Sequence, residues 1–362
     1  MADQPTAPAP TAQEQFSGVK PVEERHRIDE AALAAWLSEN VEGYEGPLTV
    51  FQFKGGQSNP TYQLVTPKHK YVLRRKPPGK LLPSAHAVDR EFKVISALNK
   101  VNYPVAHAYA LCTDDAVIGT MFYVMENVEG RILWDLSLPD STPDQRRAIY
   151  EAKVKTLAAL HNVDYQAVGL SDFGRPGNYF SRQIDRWTKQ YKASETQSIE
   201  SMNRLMEWLP RTVPDDDLTT IVHGDYRLDN MILHPTESRV IAVLDWELST
   251  LGNPLADFTY FMMQWVMPGT ERSGLADLDL PSLGIPSLEE VVALYCRETK
   301  REGLPAADWY FAYNLFRLGA ICQGIVGRVR DGTANSPQAT SMAARVQPLG
   351  DNAWKFAQRA GA

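Results

Sequence analysis

Residues 221–230 read IVHGDYRLDN. An Ile-Val run that stops in a cluster of polar residues reads as a buried strand delivering side chains to a site. Within the cluster His223, Gly224 and Asp225 are consecutive, and Asn230 follows Asp225 by five positions. Downstream, the spacing predicts a hairpin, with strands over residues 230–234 and 240–245 and a Pro-Thr-Glu-Ser turn between them. That hairpin returns Asp245, at the end of AVLDWE, to the end of the first strand.

Working outward, the chain before this stretch has a β-rich beginning. A helix is expected from Asp29, its N-cap, with Leu33, Trp36 and Leu37 on the buried face. Two segments, residues 48–53 and 61–65, flank the turn Gly55-Gly56-Gln57-Ser58-Asn59-Pro60, a hairpin pattern with a long tip. KYVLRRKP supplies a third strand that Pro77 and Pro78 stop, and AHAVDREFKVISALNK follows with helical spacing. After TMFYVMENVEG the pattern turns helical. Thr142, Pro143 and Gln145 form one capping box, and Ser287 with Glu290 a second. The expected organisation is a leader over 1–25, disordered by composition, a small β-rich lobe over 26–127 and a larger, mainly helical lobe over 128–362, an α+β fold with a cleft between lobes.

Composition narrows the function. A formal net charge of −7 without a dense Lys/Arg run argues against nucleic acid or an anionic membrane as the main partner. Cys112, Cys296 and Cys322 form no CxxC and read as core thiols. The histidines make no HxxxH or HExxH pattern, so a zinc site has no support. The N-terminus lacks the charge and apolar stretch of a signal peptide, and the most apolar window, FTYFMMQWVM, is too short to span a bilayer. The expectation is a cytoplasmic protein.

His223-x-Asp225 with Asn230 matches HxDxxxxN, the spacing of a kinase catalytic loop. Phosphoryl transfer needs a base near the acceptor hydroxyl, Mg²⁺ to neutralise the phosphates, and groups that position them. On this reading Asp225 takes the acceptor's proton, while Asn230 and Asp245 give oxygen ligands to Mg²⁺. The competing reading is that His223 and Asp225 only tie down a turn.

HGDYRLDN followed by VLDWELSTLGNPLADF resembles the aminoglycoside phosphotransferase and choline kinase-like superfamily of small-molecule kinases. GGQSNPTYQL, YVLRRKPPG, REFKVISAL, FYVMENVEGR and RQIDRWTKQY are most similar to the kinase-like domains attached to certain acyl-CoA dehydrogenases, and to their stand-alone bacterial relatives. The resemblance runs from about Ile28 to the end. It implies a protein kinase-like two-lobed fold that uses ATP with Mg²⁺.

It also implies roles for particular residues. Gly55, Gly56, Gln57, Ser58 and Asn59 would lie over the ATP phosphates, where a Gly-rich turn brings backbone N–H groups close. The family's phosphate-binding lysine is replaced: Arg74 occupies its place, with Lys76 on the same strand face as the alternative. Glu91 matches the helix glutamate that pairs with this cation. Glu126, Asn127 and Val128 fall in the hinge whose backbone would bind adenine. Asp257 matches an aspartate that stabilises the catalytic loop, and His161 reads as a packing histidine.

The acceptor is less legible. From Phe258 onward ten Asp/Glu balance ten Lys/Arg, so the segment has no acidic excess suited to a polycationic sugar. Arg317 and Arg328 share a helical face, and they, with Arg186, are candidates to meet an anionic acceptor or to pair with the lobe's own carboxylates. The resemblance implies a small-molecule hydroxyl acceptor of the hydroxyacid or hydroxyacyl-CoA type, with a functional link to an acyl-CoA dehydrogenase. The alternatives are an aminoglycoside or amino-alcohol kinase and a nucleotide-binding pseudokinase sensor.

Overall fold

In the computed structural model, residues 17–54, 59–77, 86–216, 218–269, 274–332 and 339–362 are described. The chain forms two compact units and crosses between them repeatedly. One comprises the chain up to Ser141 with Gln166–Leu170 and Arg227–Ser249; the other comprises Thr142–Tyr165, Ser171–Tyr226 and everything from Thr250.

The first unit is built on a six-stranded antiparallel sheet. Its strands are β1 (Val19–Lys20), β2 (Thr49–Phe53), β3 (Thr61–Val65), β4 (Lys70–Arg75), β5 (Ala108–Cys112) and β6 (Phe122–Glu126), in the order β1-β2-β3-β4-β6-β5. The alternation of β2 and β3 sends Val50, Tyr62 and Leu64 to one face. There they meet Leu33 and Leu37 of the helix Glu30–Asn40 in a single apolar cluster. Asp29 caps that helix as expected, accepting from the Ala32 N–H at 2.9 Å. The helix Val88–Asn99 packs against β5 and β6.

Two expectations change here. Residues 17–25, assigned to the leader, belong to the fold: Val19 and Lys20 pair with Phe53 and Gln52 at the sheet edge. Backbone pairing with an edge strand does not require apolar side chains, so composition missed it. The boundary at 127/128 also moves. The segment 128–141 and the hairpin of strands Met231–Leu233 and Val240–Val243 belong to the sheet-bearing unit. The hairpin is held there by Arg131, whose backbone pairs with Leu233 and whose guanidinium donates to the carbonyls of His234 and Glu237. Trp246 lies edge-on to Tyr103, and the Val243 N–H donates to Pro104 O at 2.8 Å.

The second unit is mainly helical. At its centre is Pro254–Val266, of which nearly every residue is buried, packed against the helix Ala307–Arg330 and the strand Thr220–Val222. FTYFMMQWVM is therefore a core helix. Both predicted capping boxes are present, on the helices Pro143–His161 and Leu288–Thr299. Cys112, Cys296 and Cys322 are buried thiols outside any disulfide. Among the described residues no helix is long and apolar enough to cross a membrane.

Gly130 is where segment 128–141 meets the hairpin. A Cβ there would stand 2.3 Å from Leu233 O and 2.5 Å from an Ile232 methyl. Gly130→Ala is expected to cost about 1–3 kcal/mol by overpacking, read as a lower Tm in thermal unfolding.

Candidate functional site

The sheet-bearing unit gathers three carboxylates around one guanidinium. Alternation along β4 turns Arg74 away from Arg75. Arg74 is buried with its Nε 2.9 Å from Glu91 and its Nη2 2.8 Å from Asp245 and 3.3 Å from Glu247. Arg75 instead lies over the Tyr62 ring and donates to the carbonyls of Ile118 and His26. Lys76 stands 4.0 Å from Asp89. Burial works against the Arg74 charge, but Glu91 and the other carboxylates outweigh it and hold the guanidinium protonated, above its ordinary value. Burial pushes the Glu91 carboxyl up, opposed by Arg74 and by the Tyr123 hydroxyl, which donates to it at 3.0 Å.

Asn59 turns inward to the same cluster. It is fully buried, its amide donating to Glu91 Oε1 at 2.9 Å and to Glu247 at 3.5 Å, with its oxygen 2.9 Å from His86 Nδ1. Its side chain thus supports Glu91. Gly55, Gly56, Gln57 and Ser58 lie outside the described residues.

The hairpin sets Asn230 across from Leu244, the residue before Asp245: Met231 pairs with Val243, and the Leu244 N–H donates to Asn230 O at 2.8 Å. Asp245 adopts φ 64°, ψ 65°, a left-handed conformation that costs a non-glycine residue energy. The turn Trp246–Leu248 that follows carries Glu247 into the cluster. Sequence reasoning did not single out Glu247; its signal is the two-residue spacing in Asp245-Trp246-Glu247. No group of three or more His, Cys, Asp or Glu able to hold a metal occurs among the described residues. The donors at hand, an amide and carboxylates, are oxygens of the kind Mg²⁺ takes when phosphates and water complete its shell.

At the end of β6, Glu126 accepts from the His107 N–H at 3.2 Å and gives its own N–H to His107 O, while Asn127 accepts from Gln63 at 3.1 Å. Val128 is half-buried.

The helical unit presents Asp225. The loop before it turns at Gly224, where φ is +87°, a conformation glycine adopts without strain. Asp257, buried on the helix Pro254–Val266, accepts the His223 N–H and, at 2.8 Å, the Gly224 N–H. His161, already bonded to the Tyr295 hydroxyl at 2.7 Å, sits 3.6 Å from the same carboxylate. Its histidine is thus packed as expected, but against the loop's anchor. Burial opposes ionisation of Asp257; the His161 ring 3.6 Å away, with His223 and the Gly224 N–H, outweighs it and holds the carboxyl below the usual range.

Asp225 itself accepts from Tyr260 at 2.7 Å, and its N–H donates to His223 Nδ1 at 3.2 Å. Arg317 donates to Gly224 O at 2.7 Å and lies over the rings of Tyr260 and Trp187. Arg186 lies over the Trp187 ring too. Arg328, expected on one face with Arg317, is exposed. Tyr260 was not identified from sequence: a tyrosine inside an apolar helix gives no local sign that its hydroxyl meets the Asp225 carboxylate.

The model of the phosphotransferase enzyme family matches residues 49–291, two thirds of the chain. The chain belongs to that family. It is 42% identical over 358 residues to human acyl-CoA dehydrogenase family member 11, covering 97% of this chain but 46% of that protein. The chain therefore spans less than half of that relative's length. Among solved structures, a Ralstonia eutropha JMP134 protein provisionally assigned as an aminoglycoside phosphotransferase is 53% identical, with a TM-score of 0.86 and coverage of 92% and 99% of the two chains. Aminoglycoside phosphotransferase APH(4)-Ia, solved with AMP-PNP and hygromycin B, shares the fold at 16% identity, TM-score 0.58 and coverage of 91% and 99%. The mixed α+β architecture, an antiparallel sheet followed by a helical region, is the protein kinase-like fold of this family.

Asp257→Asn leaves two buried N–H groups sharing one neutral oxygen, and is expected to cost about 1–3 kcal/mol at pH 7. The lowered carboxyl adds stability in full above an unfolded value of about 3.9 and loses it as pH falls through the folded value. Urea unfolding at pH 7 and pH 3 is thus expected to show a larger gap between wild type and variant at pH 7.

Proposed function

We propose that the chain is an ATP- and Mg²⁺-dependent small-molecule kinase that transfers the γ-phosphate to a hydroxyl. The observation that carries this reading is the anchored loop: Asp257 pins the backbone of His223 and Gly224, and Asp225 follows at once. A base must be held still to take a proton in the transition state. Asp225 takes the acceptor's proton. Arg74, kept beside Glu91, meets the phosphates, and a bidentate guanidinium suits that task. Asn230 and Asp245 would hold Mg²⁺, with Glu247 as a further carboxylate in reach; the ion supplies neutralisation of phosphate charge. Adenine would bind at the hinge of Glu126, Asn127 and Val128. Since the Glu126 N–H is already donated to His107, the carbonyl of Glu126 and the backbone beyond it are the groups to use. Gly55, Gly56, Gln57 and Ser58 are assigned to the phosphates on the family pattern.

The acceptor we propose is a hydroxyacid or hydroxyacyl-CoA. Arg317 supports it: the guanidinium stands beside the catalytic loop, and among the described residues no carboxylate is in ion-pair contact with it. The acyl-CoA dehydrogenase name of the relatives supports it as well. Phosphorylation turns a hydroxyl into a better leaving group, the chemical purpose such a step would serve before elimination.

One observation favours a second reading, a nucleotide sensor without turnover. Arg74, in place of lysine, is engaged by Asp245 at 2.8 Å, so two groups needed for catalysis hold each other.

The test is γ-phosphate transfer from Mg·ATP to a panel of hydroxyacids, hydroxyacyl-CoAs, aminoglycosides and choline. The expected result is transfer to the first two classes, reduced by at least about a hundred-fold in Asp225→Asn with ATP affinity retained. Asp245→Ala is expected to weaken only the Mg²⁺-dependent part of ATP binding. ATP binding with silence across the panel would favour the sensor; transfer to choline or an aminoglycoside alone would reassign the acceptor.

A further inference from the structure

The helix Pro254–Val266 meets the catalytic loop twice. Asp257 takes the backbone N–H groups of His223 and Gly224; Tyr260, three residues on and so on the same face, reaches the side chain of Asp225. We propose that Tyr260 is the positioning residue for Asp225, orienting the carboxylate that serves as the base. This rests on the kinase reading above.

The geometry is specific. The Tyr260 hydroxyl donates to Oδ1 of Asp225 at 2.7 Å. An aspartate side chain turns about two torsions, and its terminal torsion is broad. A base acts only when a lone pair faces the proton it removes. Engaging Oδ1 restrains the carboxylate plane, so that the carboxylate takes the proton of the acceptor hydroxyl as that oxygen bonds to the γ-phosphorus. The bond from the γ-phosphorus to the β-phosphate oxygen breaks, and ADP leaves with the electron pair. Proton and electron pair are thus accounted for without a further reactant.

Tyr260 is itself held. The Arg317 guanidinium lies over its ring, 5.1 Å from the centroid, and donates to Gly224 O at 2.7 Å. One arginine therefore ties the tyrosine to the residue preceding Asp225. A phenylalanine would fill the same ring position; what the hydroxyl adds is a donor on the carboxylate. Burial opposes the Arg317 charge, and the facing groups Tyr313, Tyr260, Tyr179 and Asp225 favour it.

The test is Tyr260→Phe, which keeps the ring. In the nucleotide-free protein the ¹³C resonance of the Asp225 carboxylate, assigned by its loss in Asp225→Asn, is expected to move while Tm stays at the wild-type value. With the acceptor found active in the panel, kcat is expected to fall about ten- to a hundred-fold and the KM for ATP to stay unchanged. An unmoved resonance overturns the proposal, and so does a moved resonance with wild-type kcat. If wild type phosphorylates no acceptor, the kinase reading fails separately, and an unmoved resonance still overturns the hold of Tyr260 on Asp225.

Discussion

The buried carboxylate of Asp257 is the constraint on which the helical unit's chemistry depends. Two backbone N–H groups, of His223 and Gly224, follow the end of the strand Thr220–Val222, and leaving them unpaired in the core would be costly. A single ionised carboxylate satisfies both, and His161 helps keep it ionised. The turn can then be tight, with Gly224 left-handed, and Asp225 leaves it in one direction. Stability and the presentation of Asp225 come from the same contact.

The sheet-bearing unit uses the opposite arrangement. There a cation, Arg74, is surrounded by the carboxyl groups of Glu91, Asp245 and Glu247. Breaking such a buried cluster is expensive, because removing one partner leaves the others without it. On the proposed reading, a metal ion with phosphates would give both the carboxylates and the guanidinium new partners. The left-handed Asp245 belongs to the same logic, since strained backbone persists where the surroundings over-determine it.

Much of this was legible in the sequence because it is local. The N-cap of Asp29, the boxes of Thr142 and Ser287, the hairpin after Asn230 and the alternation that separates Arg74 from Arg75 all follow from spacings of a few residues. The family pattern pointed to Asp257 and Glu91. What was missed depends on contacts distant in sequence. Tyr260 is 35 positions from Asp225, Asn59 is 188 from Glu247, and β1 adds to an edge whose partner lies thirty-odd residues on. The division into units differs from the expected boundary for a like reason: the segment Arg227–Ser249 follows Asp225 in the chain but belongs to the unit with the sheet.

If the Arg74 cluster is a Mg·nucleotide site, its affinity must depend on both the ion and the guanidinium. Calorimetric titration with AMP-PNP, with and without Mg²⁺, on wild type and Arg74→Met measures this most directly. The predicted result is binding at least about ten-fold tighter with Mg²⁺, near 1.4 kcal/mol, and lost to a similar extent in Arg74→Met. Equal affinity with and without Mg²⁺, or unimpaired binding by Arg74→Met, would contradict it.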